Sequence, residues 1–88
     1  MIEVSGKVKW QSRRGMRELD LMLLPFVEHD LPKGDERQLA AYCKLLEHTD
    51  LELVRWLNGT AVPEDPELIE IIACIRRCHE GRRGREGV

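Results

Sequence analysis

The chain has 88 residues, 42% of them hydrophobic and 34% charged, with a formal net charge of −2 at pH 7. This length allows one domain with a small core, and the composition is that of a folded chain. Little chain remains to line a large substrate cleft, which argues against an independent enzyme. No apolar run reaches the roughly 20 residues of a transmembrane helix, and no signal-peptide core begins the chain, so we expect a cytoplasmic protein.

Charge is distributed unevenly along the chain. Residues 1–17 carry five basic side chains against one acidic one, residues 18–75 carry four against thirteen, and residues 76–88 carry five against two. Basic ends of this kind can bind nucleic acid, a membrane surface or an acidic protein, and they can equally form a solvated surface. A nucleic-acid-binding module is therefore an alternative, although no predicted helix is rich in arginine as a recognition helix would be.

The chain is predicted to be helical throughout, because no stretch alternates apolar and polar residues as a strand would. A short first helix is predicted from Gly6 to Arg13, with Ser5 as its N-cap. A helix of this length is not stable alone in water, so we expect it to be held by docking against the rest of the protein.

The second helix is predicted to run from Arg17 to about Leu31 and to be the central one. Its apolar residues recur at helical spacing and continue unbroken through Pro25. Proline removes one backbone hydrogen bond and clashes with the preceding turn, so we expect a kink there rather than two helices. The residues of the apolar stripe are Leu19, Met22, Leu23, Phe26 and Val27.

Capping signals mark the starts of three further helices. These signals are Asp35 with Gln38, Thr49 with Glu52, and Asp65 before Pro66. Gly59 is expected to end the fourth helix in a left-handed conformation. We therefore predict an all-α fold, a single small five-helix bundle over residues 1–80, followed by a flexible basic tail at residues 81–88.

The chain shows no catalytic, metal-binding or cofactor-binding motif. Cys74 and Cys78 lie four residues apart with His79 next, which places both thiols on one helix face. A zinc site needs four ligands, however, and no second pair is spaced to complete it. We expect the cysteines, including Cys43, to be buried free thiols. No spacing joins a nucleophile to a base, so we predict a non-enzyme that holds no metal and no cofactor tightly.

One unusual segment, residues 12–20, joins the first two predicted helices. Gly15 allows a tight turn or the close approach of another surface. Three arginines surround it, and Glu18 and Asp20 fall in the first turn of the second helix, where acidic side chains suit the helix dipole. Arginines bind carboxylates and phosphates strongly when an interface desolvates them, but exposed arginines are also ordinary surface residues.

The run WQSRRGMRELD, residues 10–20, closely resembles the signature of the succinate dehydrogenase flavinylation (FAD assembly) factor family. The RGxxE core of that family falls on Arg14, Gly15 and Glu18. The second block of the family is matched by Leu45-Leu46-Glu47 followed by Asp50, and then by Trp56-Leu57 with Gly59. Altogether the likeness covers about residues 9–59, with weaker similarity to the end of the fifth helix.

The resemblance implies a five-helix protein, in agreement with the independent helix count. It implies a bacterial-type factor that binds the flavoprotein subunit of succinate dehydrogenase, and of the related fumarate reductase, and promotes covalent attachment of FAD to it. The chemistry is then the flavoprotein's own, and the factor is expected to be a monomer that binds no nucleic acid and inserts into no membrane. Bacterial members are also described as antitoxin partners, so an antitoxin-type interaction module is a second alternative.

From the chemistry of the motif we expect a partner-binding surface around Gly15. Arginines there would pair with acidic or carbonyl groups of the flavoprotein, Gly15 would permit close approach, and Glu18 would project toward the flavin-bearing cleft. The factor would act by population shift, binding the competent state best. Trp56 is interpreted as a core anchor or as a second contact point. The expected contact residues are Trp10, Arg13, Arg14, Gly15, Met16, Glu18 and Asp20.

Overall fold

The computed structural model describes the backbone of residues 2–86 and the side chains of residues 2–82. Over this range it contains α-helices, shorter helical turns and loops, and no strand, which confirms the predicted all-α bundle. The five α-helices are α1 (Gly6–Ser12), α2 (Arg17–Pro25), α3 (Glu36–Leu46), α4 (Asp50–Leu57) and α5 (Pro66–Glu86). None of the helices within residues 2–86 combines the length and apolar character that crossing a membrane requires.

The helical path continues through Pro25, as predicted, but it changes type there. α2 ends at Pro25, a π-helical turn covers Phe26–Asp30, and a 3-10 turn covers Leu31–Lys33. The N–H of Leu31 donates to the carbonyl of Phe26, five residues back. Proline has no N–H to give to the preceding turn, so the backbone widens after it instead of continuing as an α-helix. The prediction of one continuous α-helix to Leu31 is therefore corrected.

The predicted helix starts are confirmed by their hydrogen bonds. The Ser5 hydroxyl accepts from the N–H of Val8 and so caps α1. Complete capping boxes begin α3 and α4, with each cap side chain bound to a backbone N–H and the third helical side chain reaching back. These side chains satisfy N–H groups that have no partner within the helix. The pairs are Asp35 with Gln38, Thr49 with Glu52, and Asp65 with the N–H of Glu67.

α5 extends further than predicted. Its backbone stays helical to Glu86, six residues beyond the expected domain boundary at residue 80. Gly81 lies within the helix, and the arginines around it are good helix formers. The flexibility of residues 81–88 stays a prediction, and residues 87 and 88 lie outside the described range.

The core forms where α2 and the π turn meet the other helices. α2 contacts α1, α4 and α5, while α3 packs against α5 and α1. The predicted stripe of α2 is confirmed except that Met22 is half-buried. The most deeply buried apolar side chains, each at most 2% exposed, are Leu19, Leu23, Phe26, Val27, Leu31, Tyr42, Leu45, Leu53, Ile71 and Ile75.

α1 is attached to this core by a buried polar contact. The Ser12 hydroxyl donates to the Val8 carbonyl at 2.8 Å and lies 2.7 Å from the Tyr42 hydroxyl. Ser12 is fully buried, and burial raises the pKa of Tyr42 to about 12. A buried hydroxyl without a partner destabilises a fold, so this pair helps to fix α1 against α3. The contact supplies part of the docking that so short a helix requires.

A first prediction compares two leucines of α2. Leu23 is fully buried and Leu21 is 55% exposed. We expect Leu23→Ala to lower the free energy of unfolding by about 2–5 kcal/mol, because it leaves a cavity in the core. Leu21→Ala is the matched control and should change it by less than about 0.5 kcal/mol. Urea denaturation followed by circular dichroism measures both, and equal losses would contradict the described packing.

Candidate functional site

The loop between α1 and α2, residues 13–16, presents Gly15 to solvent. Gly15 has a φ of +86°, a conformation that other residues adopt only with strain. Apart from its two chain neighbours, no described residue has a heavy atom within 4 Å of a Cβ placed on Gly15. The backbone at Gly15 therefore favours glycine for its conformation, and no other described residue crowds it.

Arg14, beside Gly15, is bound inside the molecule. Its Nε donates to Oδ1 of Asp50 at 2.7 Å, and its side chain is only 17% exposed. One terminal nitrogen donates to the carbonyl of Leu46 at 3.0 Å, and the other donates to the carbonyl of His48 at 2.8 Å. The planar guanidinium thus uses all three of its nitrogens within the fold.

These contacts join two connections that are distant in sequence. Leu46 ends α3 and Asp50 begins α4, so Arg14 fastens the α1–α2 loop to the α3–α4 connection. The last carbonyls of a helix have no partner within it, and an arginine there satisfies them. We call this set of contacts the Arg14 clamp. The Arg14 guanidinium is thus bound within the fold, and its contact with a partner stays a prediction.

A second set of contacts holds the loop from the other side. The backbone N–H of Arg14 donates to Oδ1 of Asp20 at 3.0 Å. Met16 is half-buried and packs against the apolar core. The side chains of Asp20 and Met16 therefore also bind within the protein, although both were predicted as contact residues. The conformation of the loop is fixed by contacts on both sides of Gly15.

Three other predicted contact residues lie on the surface. Trp10 is 76% exposed on α1, and Arg13 and Glu18 are exposed on either side of Gly15. A tryptophan this exposed gains little from the fold, because most of its apolar area stays in water. The structure therefore divides the seven predicted residues into an exposed group of Trp10, Arg13, Gly15 and Glu18, and an inward-bound group of Arg14, Met16 and Asp20.

Asp50 and His48 belong to this site, although the sequence analysis placed neither of them there. Asp50 follows a capping threonine, and nothing in its spacing pairs it with a residue 36 positions earlier. The ring of His48 lies edge-on to Trp56, with 4.8 Å between the ring centres, and its Nδ1 lies 3.3 Å from Glu52. Hydrogen bonds from Thr49 are the main cause that lowers the pKa of the Glu52 carboxyl, and a hydrogen bond from His48 lowers that pKa further. Trp56 is half-buried, which is compatible with both roles considered for it, a core anchor and a second contact point.

The exposed part of the site presents one aromatic and two charged side chains around Gly15. Ser12, close by in sequence, is buried and bonded to the Val8 carbonyl and the Tyr42 hydroxyl. Within the range that the structure describes, no cluster of three or more acidic, histidine or cysteine side chains is placed to hold a metal. The three cysteines are free and half-buried, so they are more exposed than predicted. A hollow of about 680 Å³ between α3 and α5 includes no residue of this site.

Comparison with known proteins identifies the family. The family model described as "Flavinator of succinate dehydrogenase" matches residues 6–79. The chain belongs to this flavinator family. Two curated relatives are each named "FAD assembly factor SdhE". The one from Legionella pneumophila (strain Paris) is 44% identical over 73 residues, which cover 83% of this chain and 91% of the relative. The one from Pectobacterium atrosepticum is 36% identical over 81 residues, which cover 92% of each.

A second prediction tests the Arg14 clamp of this flavinator-family member. Arg14→Ala should lower the free energy of unfolding by about 1.5–3 kcal/mol, because hydrogen bonds to a charged group are lost and their partners are left unsatisfied. Arg13→Ala, one residue away and exposed, should change it by less than about 0.5 kcal/mol. Urea denaturation measures both variants. Equal stability of the two would contradict the clamp, and Arg14→Lys should recover only part of the loss because lysine has no planar fork.

Proposed function

We propose that this protein is a non-catalytic assembly factor that binds the flavoprotein subunit of succinate dehydrogenase and promotes covalent attachment of FAD to it. Membership of the flavinator family supports this proposal, as do relatives that are named FAD assembly factors. The proposal extends to fumarate reductase as a second client, to action as a monomer, and to a cytoplasmic location.

One structural observation carries the proposal, namely the uncovered Gly15 backbone on a fixed loop. Apart from its chain neighbours, no described residue comes within 4 Å of the place where a Cβ on Gly15 would lie. A partner surface can therefore approach the backbone closely there. Exposed Arg13 and Glu18 flank it with charges of both signs. A loop that is already ordered loses little conformational freedom on binding, which favours affinity.

In the proposed mechanism the two groups of residues have different roles. Trp10, Arg13 and Glu18 contact the flavoprotein, and Gly15 allows its backbone to come close. Arg14 acts indirectly, by holding the loop in the binding conformation. The factor favours the flavoprotein conformation in which attachment proceeds, because it binds that conformation better than others. The flavin chemistry takes place on the client subunit, and this chain contributes no reacting group.

Two ion pairs argue against the alternative of a nucleic-acid-binding module. Arg14 and Arg82 are paired with Asp50 and Asp30. Fewer cations at the basic ends are therefore free to neutralise phosphates, which nucleic-acid binding requires. No observation favours an antitoxin-type module over the assembly factor.

The third prediction concerns Glu18. The flavoprotein subunit of succinate dehydrogenase is co-expressed with the wild-type chain, with Glu18→Ala, with Glu28→Ala, or with no factor, and covalent flavin is read as fluorescence of its band on a denaturing gel. We expect fluorescence to rise with the wild type and with Glu28→Ala, which removes an exposed carboxylate elsewhere. Glu18→Ala should return it to the level without a factor. Equal fluorescence in all four samples, at equal flavoprotein, would reject the proposed function.

The fourth prediction concerns Gly15. Gly15→Arg should leave the chain folded, at a strain of roughly 1–2 kcal/mol, because the position is exposed and a Cβ there has open space around it. It should abolish co-purification with the flavoprotein by blocking close approach. Gly81→Arg adds the same side chain at another open position and should co-purify normally. If Gly15→Arg co-purifies at full yield, the partner does not approach this backbone.

A further inference from the structure

A second concave surface lies where α4 ends and α5 begins. It is a hollow of about 150 Å³, open to solvent, and most of its lining is apolar. We call it the Trp56 hollow. The lining residues that the argument uses are Trp56, Val62, Ile69, Ile72 and Arg76.

The rim of the Trp56 hollow exposes apolar side chains to water. Val62 is 73% exposed and Ile69 is 41% exposed. Single exposed apolar residues are common and need no explanation. Here two of them border the same concavity, whose floor includes half-buried Trp56. Covering them would remove apolar area from water, which is favourable.

The hollow has one charged lining residue, Arg76. Its guanidinium lies over Gly59, where a Cβ would come within 3.2 Å of one of its nitrogens. Gly59 has a φ of +84°, so its conformation favours glycine. Among the side chains of residues 2–82, no carboxylate lies within 4.0 Å of the Arg76 guanidinium. The apolar hollow therefore has a positive charge at its edge that no carboxylate of residues 2–82 pairs with.

This combination defines the chemistry of an occupant. About 150 Å³ is well below the 300–1,000 Å³ typical of small-molecule and cofactor sites. It suits a single aliphatic side chain, and an aliphatic side chain seated in a pocket is one form of interface anchor. A carboxylate next to that side chain would pair with Arg76, and arginine is the cation that binds carboxylates best. The complementary ligand is a protein segment with an aliphatic residue beside an acidic one.

The hollow shares its wall with the scaffold of the Gly15 loop. Trp56 lines the hollow on one side and packs against the His48 ring on another. The carbonyl of His48 accepts a hydrogen bond from Arg14, beside Gly15. The hollow and the Gly15 loop are thus linked through three residues in contact, Trp56, His48 and Arg14.

We propose that the Trp56 hollow is a second docking point for the flavoprotein, and that it receives a segment of that subunit with an aliphatic side chain beside a carboxylate. This inference rests on the proposed function. It assigns to Val62 and Arg76 a role in affinity that is separate from the role of the Gly15 loop.

The fifth prediction tests this docking point by isothermal titration calorimetry with the purified flavoprotein subunit. Val62→Asp puts a carboxylate on the rim, and Arg76→Glu reverses the charge at the edge. We expect each to raise the dissociation constant at least tenfold. Leu51→Asp is the matched control, because Leu51 is 60% exposed and does not line the hollow. It should bind within twofold of the wild type, and thermal denaturation should show that all three variants are folded.

Each outcome decides between the proposals. Weaker binding of Val62→Asp and Arg76→Glu, with Leu51→Asp unchanged, supports the docking point. Wild-type affinity in both hollow variants overturns it and leaves the proposed function intact. An equal loss in Leu51→Asp also overturns it, because the effect then follows added charge and not the hollow. A wild-type chain that does not bind the flavoprotein rejects the proposed function and this inference with it.

Discussion

The Arg14 guanidinium is the interaction on which the geometry of the candidate site depends. It joins the α1–α2 loop to the end of α3 and the start of α4 through Leu46, His48 and Asp50. Both connections are short, and neither has a core of its own. A flexible lysine would supply the same charge without the fixed fork that reaches three acceptors at once. The arginine thus orders two loops in one step, and half-burial strengthens its hydrogen bonds.

This role explains why an exposed glycine can have a fixed position. Glycine loses more conformational freedom on folding than any other residue. The cost at Gly15 is offset by its neighbours, because Arg14 is bound through both its side chain and its N–H, and Met16 packs against the core. The motif therefore consists of residues that build the loop and residues that the loop exposes. The second group, Trp10, Arg13, Gly15 and Glu18, is exposed, whereas the side chains of the first group are partly buried.

The features that could be predicted from sequence are local ones. A capping box such as that of Asp35 and Gln38 lies within four residues, so its chemistry is visible in the sequence. The Arg14 clamp could not be predicted in this way, because Arg14 and Asp50 are 36 residues apart. Each also fits an ordinary local role, Arg14 as a surface arginine and Asp50 as an acidic residue in the first turn of a helix. The π turn after Pro25 was missed for a related reason. Apolar periodicity continued through the proline, and the spacing alone does not show how the backbone compensates for the missing N–H.

Two contact points, as proposed, would affect which conformation of the flavoprotein the factor binds best. Once the Gly15 loop is bound, contact at the Trp56 hollow is intramolecular and needs no further loss of translational freedom. The gain is realised only if the two receiving surfaces of the flavoprotein are correctly spaced. A flavoprotein conformation with a different spacing keeps one contact and loses the other. This difference in affinity between conformations is what a population shift requires, so a second docking point would strengthen selection as well as binding.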